Sequence, residues 1–354
     1  MSELSGMLEE TVGRLFGELV TKELIEAAER GDWPGALWDA VETNGLTRPH
    51  LPENAGGAGG TWREAFVILR AAGRYTVPLP IAEAILGGWL LASGDLPVPD
   101  GPLTVLAEPV AGSAVTVTAA EVPWGRSAPH AVFVSPDAAR VGLVRTDAAR
   151  DMRRSESIAR EPRDRLVFEG AAPVAIANAT LPPGPVRLYG ALVRSAQMAG
   201  ALESILAQAV RYAGERVQFG RPIGQFQIIQ QELARLAGDV AAALVAAEAA
   251  FAAAARADAD AAFDPTFEIA VAKTRIGEAV DRATSIAHQT HGAIGFTYEH
   301  GLHFATRRLW TWRAEFGSDA FWAGELGRAT LARGADALWP DLTGRAAPPA
   351  EGRP

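Results

Sequence analysis

The chain of 354 residues contains no cysteine, so disulfide bonds, thiolate metal ligands and cysteine nucleophiles are all excluded. Its 33 lysine and arginine residues are outnumbered by 42 aspartate and glutamate residues, which leaves a net charge of −9. This acidic balance argues against nucleic acid or an anionic membrane as a partner. The sequence also lacks a GxSxG motif, a Walker loop and a complete GxGxxG motif after a strand, so hydrolysis by a Ser-His-Asp triad has no support.

Membrane and secretion signals are weak. The most apolar run, residues 240–255, is mostly alanine and contains Glu248, which is typical of a buried helix rather than a membrane span. The first residues carry acids early and include no apolar core of a signal peptide. We therefore expect a soluble cytoplasmic protein, in which 48% hydrophobic residues suffice for two or three packed units.

The pattern of apolar residues divides the chain into three regions and a tail. Residues 1–95 are predicted to form a helical domain, because apolar residues recur every three or four positions and Thr61 is suited to begin a helix. Residues 96–182 contain short runs such as "HAVFVSP" and "DRLVFEG" between turn residues, which predict a small, shortened β domain. Residues 183–343 are predicted to form a C-terminal four-helix bundle, and the Pro/Gly-rich residues 344–354 a disordered tail.

Within the C-terminal region the pattern predicts four helices and one longer connection. The helices are expected at residues 187–213, 225–256, 264–290 and 317–337, with the connection at 291–302. The predicted fold class is therefore α+β and mostly α, in the order helical domain, β domain, helical bundle.

Three segments, in this order, resemble the acyl-CoA dehydrogenase family. They are "LPENAGGAGGTWREAFVILRAAGR" at residues 51–74, "RVQFGRPIGQFQIIQ" at 216–230 and "QTHGAIGFTYEHGLHFATRR" at 289–308. The resemblance implies an FAD-dependent dehydrogenase of acyl-CoA thioesters. It also implies that the last two segments hold the ADP half of FAD across a subunit interface.

The chemistry of these two segments suits such a ligand. A guanidinium forks onto phosphate oxygens, phenyl rings offer a flat surface to an adenine, and amides both donate and accept hydrogen bonds. Glycines allow close approach of the backbone. The resemblance thus assigns FAD contacts to Arg216, Gln218, Phe219, Phe226, Gln227, Gln289, Gly292 and Gly295. Local chemistry alone instead favours a solvated charge at a helix end for Arg216 and a place in the core for the phenylalanines.

The position of the catalytic base departs from the family pattern. The resemblance places a proton-abstracting glutamate just before Gly317, where this chain has Phe316, or, in a minority of members, at Gly190. Arg308 stands where the family usually has aspartate. A slip of one residue would make Glu315 the base. In the register without a slip, Glu315 is expected to point away or to pair with a cation such as Arg313 or Arg307. Three neighbouring tryptophans could form the floor of the acyl pocket or fill it, and Phe316 among them favours filling: Trp310, Trp312 and Trp322.

The flavin side is also incomplete by comparison with the family. Glu108, Pro109 and Trp124 are retained, and Trp124 is the candidate contact with the flavin ring. Two expected hydroxyl residues are replaced by Ala107 and Arg126. The half-site that would serve a neighbour's FAD therefore looks intact, whereas the chain's own half-site and its base look lost.

These observations lead to three hypotheses. The first is a subunit of a heteromeric acyl-CoA dehydrogenase, whose partners are an acyl-CoA, a homologous catalytic subunit and an electron-transfer flavoprotein or other acceptor. The second is a self-sufficient homo-oligomeric enzyme with Glu315 as base. The third, of another class, is a flavin-free helical scaffold or acyl-CoA-binding protein. The two His-x-x-His pairs are His288 with His291 and His300 with His303. No metal site is predicted at either pair, because glycines interrupt the helix there.

Overall fold

The computed structural model describes residues 3–344. The tail predicted at residues 344–354 lies outside the described residues, apart from Gly344 at the end of the last helix. The fold class predicted from the sequence is confirmed: helices precede and follow a small region of strands. The individual domain boundaries stay predictions.

Five helices form the N-terminal region: α1 Glu3–Leu19, α2 Lys22–Glu29, α3 Gly35–Thr43, α4 Trp62–Arg74 and α5 Ile81–Ala92. Thr61 begins α4 as expected, because its Oγ1 accepts a hydrogen bond from the backbone of Arg63 while Glu64 accepts one from the backbone of Thr61 at 2.8 Å. Helix α4 crosses the bundle at close range. A Cβ atom at Gly73 would lie 1.9 Å from the carbonyl oxygen of Gln197, so this crossing requires glycine.

The middle region is a pair of small sheets. The strands are β1 Leu103–Val105, β2 Val115–Pro123, β3 His130–Val134, β4 Arg140–Arg145, β5 Asp151–Arg153, β6 Arg163–Ala171 and β7 Ala175–Asn178. One sheet has the strand order β1-β3-β4-β7 and the other the order β2-β6-β5. Strand β1 is parallel to β3, and the remaining pairs are antiparallel. Alternate apolar residues of both sheets form a core of their own, centred on Phe133 and Phe168.

The C-terminal region is a helical bundle. Its helices are α6 Pro185–Glu215, α7 Gln227–Ala259, α8 Thr266–His291, α9 Leu302–Ala314, α10 Asp319–Arg333 and α11 Ala335–Gly344. A two-residue hairpin of β8 Val217–Gln218 and β9 Arg221–Pro222 joins α6 to α7. By length and composition alone α7 could cross a membrane, but it packs along α6 and α8, and 44% of its most apolar window is buried.

Helix α9 is absent from the sequence-based prediction, and α10 ends earlier than predicted. The polar residues Thr306 and Arg308 lie on the buried face of α9, so apolar periodicity does not reveal this helix. Gly334 has φ +84°, which ends α10 and starts the separate helix α11.

Candidate functional site

A cleft of about 600 Å³ separates the β region from the bundle. Its walls come from the residues after β1, the end of β2, residues 155–158 and the C-terminal end of α9 with residues 314–316. A second cavity of about 440 Å³ adjoins it and is lined by the start of α6 and by α10. Ala107 and Arg187 line both, so the two cavities meet at these residues.

Phe316 and Gly190 lie against each other at this cleft, although 126 positions separate them in the chain. A Cβ atom added at Gly190 would lie 2.3 Å from Cδ1 of Phe316, so the phenyl ring rests directly on the glycine. Phe316 has φ +54°, a conformation that a phenylalanine rarely adopts. The two positions that the family resemblance offers for a glutamate therefore converge in space, and neither carries a carboxylate.

Glu315 turns away from this contact into a clamp of two arginines. Its Oε1 is 2.6 Å from Nε of Arg163, and its Oε2 is 2.7 Å from Nε of Arg194. Burial alone would raise the pKa of Glu315, but the two guanidiniums outweigh burial and hold that pKa at about 2. Glu315 is therefore an ionised carboxylate with both oxygens already engaged.

The partners expected for Glu315 were wrong, although a cation does hold it. Arg313 instead binds Asp281 at 2.6 Å and Asp319 at 2.9 Å. Arg307 binds Glu29 at 2.6 Å, on the N-terminal helices. Both expected arginines are thus committed to other carboxylates.

The clamp extends into a buried network that sequence reasoning missed. Arg194 also pairs with Glu83 on α5, and Arg163 lies 3.0 Å from Glu161. Arg308, in place of the family's aspartate, lies 3.1 Å from the same Glu161. The sequence contains one local sign of this network. Arg194 is the sole charged residue between positions 188 and 202, and a single charge in such an apolar helix segment indicates a buried ion pair.

Lys273 fixes the turn that carries Glu315 and Phe316. This fully buried side chain donates from Nζ to the carbonyl oxygens of Trp312 at 3.2 Å, Arg313 at 2.7 Å and Gly317 at 2.8 Å. Burial lowers the pKa of Lys273 to about 7. The lysine therefore caps α9 and holds the following turn in place.

The three tryptophans expected to fill the acyl pocket divide between two roles. Trp312 and Trp322 are buried, and their Nε1 atoms each donate at 3.1 Å, to Glu161 and to the carbonyl oxygen of Phe316 respectively. Trp310 is 37% exposed and lines the 600 Å³ cleft. Trp322 lines the 440 Å³ cavity, so the three tryptophans do not fill one common pocket.

Neither Trp124 nor Arg126 lines the cleft, although Arg126 donates from Nη2 to the carbonyl oxygen of Ser155 in the cleft wall at 2.6 Å. Trp124 is buried, and its ring meets Trp33 edge-on at 6.4 Å in the N-terminal region. Arg126 is held by Asp164, with Nη2 to Oδ1 at 2.6 Å and backbone N to Oδ2 at 2.7 Å. The contact between Trp124 and a flavin stays a prediction.

A second surface is formed by the segment between α6 and α7. Arg216, Gln218 and Gln227 are exposed, and Phe219 is 92% exposed at φ +53°. Phe226 meets Phe219 edge-on at 6.2 Å. No carboxylate among the described residues lies within 4.0 Å of Arg216, so its guanidinium remains available to an anion.

The 289–295 segment lies beside this surface. Tyr212, near the end of α6, stacks on His291, near the end of α8, at 4.6 Å between ring centres. Gln289 and Gly292 are exposed, and Gly292 has φ +64°. Gly295 is buried, and its Cβ position would be 3.1 Å from Leu302, so packing within the chain already accounts for this glycine.

The assembled surface fits the ADP half of a dinucleotide. It offers a guanidinium for a pyrophosphate, phenyl rings for an adenine and three amides, all at one end of the bundle. The histidines nearby pack as aromatic groups: His288 stacks on Phe296 at 4.1 Å, and its Nε2 lies 3.0 Å from Oγ1 of Thr306. Residues 3–344 contain no group of three or more potential ligands arranged to hold a metal ion.

Comparison with known proteins decides the family. The model of the acyl-CoA dehydrogenase N-terminal domain matches residues 2–94, and that of the C-terminal domain matches residues 188–331. The acyl-CoA dehydrogenase IpdE2 of Mycobacterium tuberculosis is 30% identical over 306 residues, which cover 85% of this chain and 89% of the relative. The chain belongs to the acyl-CoA dehydrogenase family.

Solved structures show the same fold over about 95% of the chain. The ChsE4–ChsE5 complex of Mycobacterium tuberculosis gives a TM-score of 0.81 at 23% identity, covering 95% of this chain and 99% of that one. The Tcur3481–Tcur3483 steroid acyl-CoA dehydrogenase gives 0.80 at 24%, covering 94% and 99%. Acyl-CoA dehydrogenases are FAD-dependent oxidoreductases, so the predicted family, enzyme class and cofactor are confirmed.

Proposed function

We propose that this acyl-CoA dehydrogenase is one subunit of a heteromeric enzyme for α,β-desaturation of an acyl-CoA. In this proposal it completes a partner subunit's FAD site and has no catalytic base of its own. The observation that carries the proposal is the contact of Phe316 with Gly190, which fills both positions where the family resemblance places a glutamate.

The chemistry of desaturation makes this contact decisive. Removal of the α-proton requires a basic group within hydrogen-bond reach of the α-carbon, while FAD, when bound, supplies the electron acceptor. A phenyl ring cannot accept a proton. Glu315 is a poor substitute, because two arginines occupy its oxygens and a pKa of about 2 makes it a weak base.

The retained cofactor surface supports a role in a partner's site. Arg216, Phe219 and Gln227 are exposed on this chain, and the one aromatic contact of Phe219 among the described residues is with Phe226 of the same surface. The proposal assigns to them, with Gln218, Phe226, Gln289 and Gly292, the ADP half of an FAD shared with a neighbouring subunit, and leaves out the buried Gly295. The proposal treats the exposed Phe219 and the neighbouring Phe226 as an apolar pair that is covered on assembly.

The similar solved structures favour a two-component assembly. The names of both the ChsE4–ChsE5 complex and the Tcur3481–Tcur3483 dehydrogenase give two different chains. By analogy, we assign this chain a homologous partner that bears the catalytic glutamate. An electron-transfer flavoprotein or another acceptor and a cytoplasmic location complete the proposal.

The two other hypotheses differ from this one in simple observations. A self-sufficient enzyme needs Glu315 free to approach the substrate, which the arginine clamp opposes. A flavin-free scaffold has no need for the exposed cofactor surface. The test is the flavin absorbance of the chain purified alone and purified with a co-expressed, glutamate-bearing homologue.

The proposal expects a colourless chain that becomes part of a yellow, active complex. A yellow chain with dehydrogenase activity on its own would replace the proposal with the self-sufficient enzyme. A complex that stays colourless after addition of FAD would favour the scaffold. In the yellow complex, Arg216→Ala should weaken FAD retention, whereas Arg235→Ala, at an exposed arginine on α7 paired with Glu232, should not.

A further inference from the structure

Four of the chain's six histidines lie together where α8 ends and α9 begins: His288, His291, His300 and His303. We call them the histidine cluster. The ring centres of His291 and His300 are 4.6 Å apart, and all members except His300 are at most 8% exposed. His288 stacks on Phe296, and His303 meets Tyr298 at 4.9 Å. The cluster therefore packs against the segment that connects the two helices, residues 292–301.

This packing suits the neutral form of the rings. Nδ1 of His291 lies 2.7 Å from the carbonyl oxygen of Ala287, and Nδ1 of His303 lies 2.9 Å from that of His300. A carbonyl oxygen only accepts, so each Nδ1 carries the hydrogen and each Nε2 is an acceptor. Both Nε2 atoms are buried without a partner among the described residues. Protonation would turn each Nε2 into a buried charged donor with no acceptor, which is costly.

Positive charge also surrounds the cluster. Burial lowers the pKa of all four histidines below the ordinary 6.5. Arg211 on α6 lowers the pKa of His291 and His300 further, and Arg307 on α9 lowers that of His303. Charge on neighbouring histidines lowers the pKa of His288 and His300 as well, because like charges repel.

The carboxylates nearest to the cluster are engaged elsewhere. Glu26 and Glu29 on α2 act to raise the pKa of His303. Glu26, however, pairs with Lys22 at 3.2 Å, and Glu29 pairs with Arg307 at 2.6 Å. Within residues 3–344, no carboxylate oxygen lies within 4.0 Å of a ring nitrogen of the cluster. A proton taken up here would therefore lack a counter-ion.

We propose that the histidine cluster is an acid-sensitive switch, whose protonation loosens residues 288–303. Histidines released to water bind protons more readily than the packed ones, so mild acid favours the loosened state. The stabilisation by the neutral cluster is complete above about pH 6.5 and is lost as the pH falls below this value. The loosening needs only this chain. A consequence for FAD rests on the proposed function, which assigns Gln289 and Gly292 to the cofactor surface.

Hydrogen exchange of the chain alone tests the switch. Amide protection, corrected for the intrinsic exchange rate, is measured by mass spectrometry at about pH 7.5 and about pH 5.5. We expect protection of residues 288–303 to fall at least about tenfold, because one proton bound with a pKa shift of one unit changes the opening equilibrium tenfold. Protection of α4 and of β3 should stay within about threefold.

Variants make the response specific to the cluster. The double variant His291→Phe with His303→Phe keeps two aromatic rings but removes two titrating groups, and its response should be less than about threefold. The control His130→Phe, the same change on β3, should keep the full response. Thermal unfolding establishes that each variant is folded. If the double variant is not, each single variant should respond less than wild type.

Three results would overturn the switch: equal protection of residues 288–303 at both pH values, an equal loss of protection in α4, or a full response in the cluster variants. In the yellow complex, FAD retention of wild type should fall about tenfold over the same pH range, and that of the double variant should not. Unchanged FAD retention while the segment loosens would overturn the consequence for FAD. A complex that never takes up FAD would contradict the proposed function, while the exchange result would stand.

Discussion

Replacing Glu315 by glutamine separates a structural carboxylate from a catalytic one. In the heteromeric complex, we expect Glu315→Gln to leave desaturation within about threefold of wild type, because this carboxylate faces arginines instead of substrate. Loss of a true general base typically costs a factor of about 10² or more. The stability of the chain should fall nonetheless, since the substitution leaves a buried arginine without its counter-ion.

The magnitude of this destabilisation follows from the network. Glu83, Glu161 and Glu315 balance Arg163, Arg194 and Arg308, so glutamine leaves one uncompensated positive charge. Breaking a buried ion pair typically costs about 3–5 kcal/mol. The pKa of about 2, against the ordinary 4.5, corresponds to about 3 kcal/mol. We expect the lower end, because the Glu315 side chain is 18% exposed and the glutamine oxygen still accepts a hydrogen bond from one arginine.

The contribution of Glu315 to stability should also depend on pH. The folded-state pKa of Glu315 is depressed, so its contribution to the free energy of unfolding is present above about pH 4.5 and is lost as the pH falls towards 2. The difference between wild type and Glu315→Gln should therefore shrink over this window. Denaturant unfolding at a series of pH values measures it.

Two assays decide the outcome together. Turnover of the complex with an artificial electron acceptor reports on catalysis, and thermal unfolding reports on the clamp. Glu18→Gln provides the matched substitution at an exposed carboxylate on α1 and should change neither. A fall in turnover of about 10² or more, with FAD content and assembly unchanged, would refute the reasoning and make Glu315 the base.

Three further predictions concern the assembly of the complex, the retention of FAD and the contact of Phe316 with Gly190. Light scattering of the complex with excess FAD should give a dimer or a dimer of dimers, and a monomeric mass would exclude a shared site. Arg216→Ala should weaken FAD retention by about 1.5–3 kcal/mol, the range for a charged hydrogen bond, with unfolding nearly unchanged. Unaltered flavin occupancy would show that Arg216 is a solvated charge and does not bind FAD. Gly190→Ala should destabilise the chain by about 1–3 kcal/mol, because its methyl group meets the Phe316 ring, and Phe316→Ala should relieve that cost. The matched Gly238→Ala on α7 has no atom within 4 Å and should stabilise by about 0.5–1 kcal/mol, so equal effects at both glycines would deny the contact.

Features that depend only on neighbouring residues could be predicted from the amino-acid sequence. Each of these features lies within one contiguous stretch of the sequence. They are the start of α4 at Thr61, the β runs between turns, and the motifs at 216–230 and 289–308. Local hydrogen bonding and periodicity decide such features within a few residues. The sequence also shows that neither position 316 nor position 190 is a glutamate. This result requires only the alignment of the chain with the family's motifs.

Tertiary structure alone decided what surrounds those positions. Phe316 lies on Gly190, Arg163 and Arg194 clamp Glu315 across 152 and 121 positions, and Trp124 turns towards Trp33. From the sequence, several cations were plausible partners for Glu315. The two that are near it in the chain, Arg313 and Arg307, pair with other carboxylates. A buried carboxylate takes the guanidiniums that packing brings within about 3 Å, whatever their distance along the chain, because in a medium of low dielectric constant an unpaired charge costs several kcal/mol.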